Sequence, residues 1–143
     1  MKTADQIEQA KLPVKQENLI QIPSGLLGFE QNKRYVLLTN PEEEPFLWLQ
    51  MLESPQHTFL VISPFEVCPD YRPDIAQQEV QLLGISNPAD AMLLCIVNLR
   101  ETGQPTVNLK GPIVLNRQTL LAKQVIPLNA SEFSLHFPLP IAI

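Results

Sequence analysis

The apolar runs of this chain are short, and proline ends most of them. Leu19-Ile20-Gln21-Ile22 stops at Pro23, Tyr35-Val36-Leu37-Leu38-Thr39 at Asn40-Pro41, Thr58 to Ser63 at Pro64, and Leu121 to Ile126 at Pro127. Proline fixes its own φ and gives up a backbone donor, so it suits neither a helix interior nor a central strand. The 14 prolines in 143 residues are about twice the usual share of roughly 5%. This pattern disfavours a helical bundle and predicts an all-β, mainly antiparallel domain. About nine short strands with one short helix fit a small closed or partly open β-barrel.

Phe46 to Leu52 and Thr58 to Ser63 carry the strongest strand composition, and Ser54-Pro55-Gln56-His57 is short enough to join them as a hairpin. Ala91 to Val97 is continuously apolar, as in a central strand buried on both faces. Trp48, Phe59, Leu94 and Ile96 are expected in the core. Gln77 to Leu83 is the helix candidate, because Val80 and Leu83 share a face and Gly84 suits the cap. Tyr71 reads as the start of an edge strand, and the proline-rich tail from Phe133 as a poor final strand. The predicted organisation is an N-terminal arm over residues 1–18 and one domain over 19–143.

The stretch from Val107 to Asn116 is the most unusual. Asn108 and Lys110 alternate with Val107 and Leu109, as in a strand with one wet face. Gly111-Pro112 must then bulge, bend or end the ladder before Ile113-Val114-Leu115 resumes as a buried strand. The break reads either as a barrel corner alone or as a corner that also carries a contact surface. In the second reading Lys110 and the Pro112 ring stand clear of pairing and meet a partner.

Composition narrows the function classes. The net charge is −5, and the ten Lys and Arg are scattered, so direct binding of RNA or DNA is not expected. A basic protein partner suits this charge better. No apolar run is long enough to span a membrane, and the polar N-terminus has no secretion-signal core, which points to the cytoplasm. Cys68 and Cys95 lie among apolar neighbours and read as buried thiols. Ser24-Gly25-Leu26-Leu27-Gly28-Phe29-Glu30 lacks the Gly-Lys-Ser/Thr of a phosphate loop, and reads as a turn that tucks Leu26 and Phe29 inward. Glu42-Glu43-Glu44 reads as a solvated loop tip rather than a metal site. His57 and His136 have no nucleophile or ligand at a recognisable spacing. No catalytic, metal or cofactor site is therefore expected.

Three of these pieces, in this order, resemble the FliW family of flagellar assembly factors: Pro23 to Glu30, Phe46 with Leu49-Gln50-Met51-Leu52, and Asn108-Leu109-Lys110-Gly111-Pro112-Ile113-Val114-Leu115-Asn116. Gln124-Val125 fits the same pattern, so the resemblance spans about residues 19–127. Met51 and the tail after Phe133 depart from it. The resemblance implies a non-enzymatic cytoplasmic β-barrel protein with two alternative partners. One is flagellin, held through its C-terminal helical region before export. The other is CsrA, an RNA-binding translational repressor that the free factor removes from flagellin message. On this view Asn108, Lys110, Gly111, Pro112, Ile113 and Glu79 are candidate partner-binding residues. The acids Glu42, Glu43, Glu44, Glu79 and Asp90 would then supply a field that repels RNA phosphate. The alternative is a small β-barrel module for a metabolite or peptide, with no part in motility.

Overall fold

The computed structural model describes residues 19–53, 56–100 and 103–140; the expected N-terminal arm lies outside them. Nine strands appear among the described residues: β1 (Leu19–Gln21), β2 (Arg34–Thr39), β3 (Phe46–Met51), β4 (Thr58–Ile62), β5 (Ala91–Asn98), β6 (Thr106–Val107), β7 (Ile113–Asn116), β8 (Ala122–Gln124) and β9 (Phe137–Pro138). The one α-helix among them, α1, is Gln77–Leu82. Every strand pairing is antiparallel.

The sheet runs β1-β2-β3-β4-β5-β6-β9, and a branch at β5 adds β7 and then β8. The branch arises because β5 shares one edge between two strands. Its first half pairs with β7, up to Leu94 opposite Ile113, and its last residues pair with β6, from Val97 opposite Val107. Only Cys95 and Ile96 lie between those pairs, against residues 108–112 on the other side. The surplus chain has to leave the ladder, and it does so at the Gly-Pro break. The sheet remains open. A single parallel bridge from Gln21 to Leu121 brings β8 against β1 without forming a ladder.

Side-chain alternation along the strands feeds two cores. Leu49, Met51, Val61 and Leu94 enter one, with Ile20, Leu26, Tyr35 and Ile113. Phe46, Leu60, Ile62, Cys95 and Val97 enter the other, which Tyr71, Leu109 and Leu139 cover. The tail thus joins the sheet as the expected final strand, with Phe137 opposite Val107. In the Ser24–Glu30 turn, Leu26 is buried and Phe29 packs on the first core. Gly25 is required there: its φ is +67°, and a Cβ would come within 2.6 Å of the Phe29 carbonyl oxygen.

Four expectations are corrected. Trp48, Phe59 and Ile96 are half-buried, and only Leu94 of the expected set is fully enclosed. Tyr71 starts no strand; it is buried, and its hydroxyl donates to the Leu109 carbonyl at 2.7 Å. The strands predicted from Val107 to Lys110 and from Leu121 to Ile126 shrink to β6 and β8, because the chain turns away to serve other carbonyls. Glu43 is buried rather than solvated. Asn40 Oδ1 accepts from Glu42 N–H at 3.0 Å, and this cap winds Pro41–Glu43 into a 3-10 turn that carries Glu43 inward.

Candidate partner-binding surface

The corner between β6 and β7 is built from its own side chains. Asn108 N–H closes the ladder on the Ile96 carbonyl at 3.0 Å. Its Oδ1 then accepts from Lys110 N–H at 2.9 Å and Gly111 N–H at 3.1 Å, the Asx turn that asparagine makes where a chain reverses. Leu109 N–H donates to the Ser134 carbonyl (3.0 Å), and Val125 N–H to the Pro112 carbonyl (2.9 Å). Gln124 Nε2 donates to the Gly111 carbonyl at 2.9 Å. A Cβ on Gly111 would stand 3.1 Å from that Nε2 and 3.3 Å from Asn108 Nδ2, so the close approach of the two amides accounts for glycine.

The candidate residues therefore divide. Gly111, Pro112 and Ile113 are buried, and Asn108 and Lys110 are half-buried. The Pro112 ring does not stand clear: the residue is buried, and its carbonyl is held by Val125 just past the end of β8. The Lys110 ammonium is also engaged, donating to the Ala130 carbonyl at 2.8 Å. Glu79 lies apart on α1 and pairs with Lys123 at 2.8 Å, with both side chains largely shielded. Neighbouring side chains on a strand point to opposite faces. Lys123 therefore reaches toward the helix while Gln124 turns to the corner.

Beside the corner is a cleft of about 410 Å³. It forms where the β4–β5 ladder stops: those strands pair only at Val61–Ile96 and Ile62–Cys95. Thr58 to Leu60 and Val97 to Leu99 do not pair with each other beyond that point, and both line the cleft with Trp48, Asn108 and Gln124. Leu27 and Leu99 stand on its rim, 59% and 55% exposed. A larger groove, about 850 Å³, lies between α1 and the first half of β5, lined by Phe65, Val80, Met92, Leu93 and Arg117 among others. Reading the sequence missed this groove. Phe65 looks like one more apolar residue between prolines, and only its 47% exposure distinguishes it.

Burial pushes the Cys95 thiol up to about 12, so it stays protonated. The Gly28 N–H holds the Glu30 carboxylate below its ordinary value, at 3.0 Å. His57 packs against Phe29, ring centroids 5.0 Å apart. Among the described residues no three His, Cys, Asp or Glu side chains gather as a metal site, and no helix is long and apolar enough to cross a membrane.

Comparison with known proteins assigns this arrangement. The family model described as FliW protein matches residues 3–139, well past the stretch over which the motifs alone are legible, and it takes in the tail. The flagellar assembly factor FliW of Leptospira interrogans serovar copenhageni is 37% identical over 124 residues, covering 85% of this chain and 83% of that one. Its counterpart in Bacillus subtilis is 34% identical over 130 residues, 90% of each chain. A crystal structure of the flagellar assembly factor FliW superposes with a TM-score of 0.78 at 30% identity, over 90% of this chain and 89% of the other. With sequence and fold in agreement over most of its length, the chain belongs to the FliW family of flagellar assembly factors.

Proposed function

We propose that this protein binds flagellin in the cytoplasm through flagellin's C-terminal helical region. When free of flagellin it binds CsrA and relieves CsrA's repression of flagellin translation. The observation that carries the reading is the family match over residues 3–139. The role is one of assembly and regulation, not catalysis.

The physical features support two protein partners. The net charge of −5 suits a repressor whose RNA face must be basic, and complementary charge speeds and selects such encounters. An acidic protein docked beside that face repels phosphate over a screening length of about 8 Å at physiological salt. Of the five acids first considered, Glu43 is buried and Glu79 is tied to Lys123. Glu42 and Glu44 are exposed and Asp90 is half-buried, and these three face the solvent through which such a field acts.

The accessible part of the corner is Asn108, which lines the smaller cleft, with Lys110, and both are assigned to the partner surface. Gly111, Pro112 and Ile113 shape it from beneath. Calorimetric titration of the purified protein with monomeric flagellin, and separately with CsrA, tests the reading. Saturable binding to both, with each partner displacing the other, is expected. Absence of binding to either would overturn it.

A further inference from the structure

We infer that the groove between α1 and β5 is a docking site for an amphipathic helix that carries a carboxylate opposite Arg117. The inference deepens the reading above, since the helix is assigned to flagellin.

The groove exists because β5 has an open edge. Arg117 N–H donates to the Asp90 carbonyl at 2.7 Å, which sets the ladder so that Met92 and Leu94 bond toward β7. The backbone of Ala91 and Leu93 is left facing the other edge. β4 reaches β5 only at Cys95 and Ile96, so it does not cover them. An added strand would find little to pair with, because Ala91 N–H is already committed to the Pro88 carbonyl. Affinity here must come from side chains entering an apolar trough, and anchors spaced along one helical face are the usual way to fill one. Phe65 is 47% exposed on the rim, and no residue of α1 is fully buried. An occupant would complete the cover that the chain itself leaves unfinished.

Charge selects the occupant. Among the described residues Arg117 is the only charged side chain lining the groove, and among them it makes no ion pair. An unpaired guanidinium in a chain of net charge −5 favours a partner with a carboxylate at that end. Arg matches a carboxylate bidentately. A second copy of this acidic chain would bring overall repulsion instead.

The test titrates monomeric flagellin into wild-type protein and into Phe65→Ser and Arg117→Glu, following melting temperature and oligomeric state. Each variant should stay folded, Phe65→Ser melting somewhat lower for its lost ring contact with Tyr71 (centroids 6.2 Å apart), and lose at least about tenfold in affinity. The loss in Arg117→Glu should be reversed by a Lys at one acidic position of the flagellin helix. Folded variants that bind flagellin as wild type does would overturn the groove and leave flagellin binding intact. Wild-type protein that does not bind flagellin would overturn both. A wild-type dimer that either variant splits would show that the groove holds a second copy, and would also overturn the inference. If Arg117→Glu fails to fold, Phe65→Ser at an exposed position decides.

Discussion

Gln124 holds Gly111 from below: its Nε2 donates to the Gly111 carbonyl at 2.9 Å while its Oε1 accepts from Leu27 N–H at 2.8 Å. One side chain thus ties the Ser24–Glu30 turn to the Asn108–Asn116 corner, although Leu27 lies 97 residues away in sequence. Gln124→Ala should therefore cost about 0.5–1.5 kcal/mol, the net worth of the bond to the part-buried Gly111 carbonyl, since the exposed Leu27 N–H can turn to water. Gly111→Ala should also destabilise, since its Cβ meets the same amide at 3.1 Å. In the double variant the methyl gains room, so the two costs should sum to less than their separate values. Urea denaturation of the four proteins measures this; strict additivity would contradict it.

Lys110 is a structural donor as well as a candidate contact. As a free surface lysine it would tolerate Lys110→Glu within about 0.5 kcal/mol. Its bond to the Ala130 carbonyl changes the expectation, because a carboxylate placed there faces an acceptor. Lys110→Glu should lose about 1–2 kcal/mol, and Lys110→Arg distinctly less. Thermal melts compare them, and any affinity change in Lys110→Glu is read against that loss.

The Glu79–Lys123 pair joins α1 to β8 with side chains 17% and 27% exposed. Such a pair lies between an exposed ion pair, worth under about 1 kcal/mol, and a fully buried one. Glu79→Gln should cost about 1–3 kcal/mol. Because the charges are shielded, raising the salt should reduce that cost little. Denaturation at low and high ionic strength checks both points.

Alkaline pH should unfold the protein. Burial raises Cys95 from 9.0 to about 12 and Tyr35 from 10.0 to about 12, and it raises Tyr71 as well. In each case the folded state holds its proton more tightly than the unfolded chain does. The stabilisation is complete below pH 9 and is lost progressively as pH rises from there toward 12. Melting temperatures at rising pH should fall through that window. Cys95 should resist thiol reagents at neutral pH until the protein unfolds.

Much of the fold is legible in the sequence because proline and glycine act locally. Pro23, Pro41 and Pro64 each follow a strand that ends two residues earlier, whereas β8 already stops at Gln124, short of Pro127, and Gly84 follows α1 as expected. The register of the Gly111-Pro112 break is also visible. The partners of polar side chains are not: Lys110 finds Ala130, Tyr71 finds Leu109 and Gln124 finds Leu27. Which carbonyls and amides the ladders leave orphaned depends on the whole topology. The same holds for the large groove, whose walls are Phe65, Val80 and Leu93. Each is an ordinary core candidate until the open edge of β5 leaves the trough between them uncovered.

The most direct measurement of the functional claim is a gel-shift titration of a complex between CsrA and flagellin leader RNA. Adding this protein should release the RNA in a saturable manner, and adding flagellin should reverse the release. The protein alone should not retard the RNA at any concentration used. Retardation by the protein alone, or a CsrA–RNA complex left unchanged at saturating protein, would contradict the account.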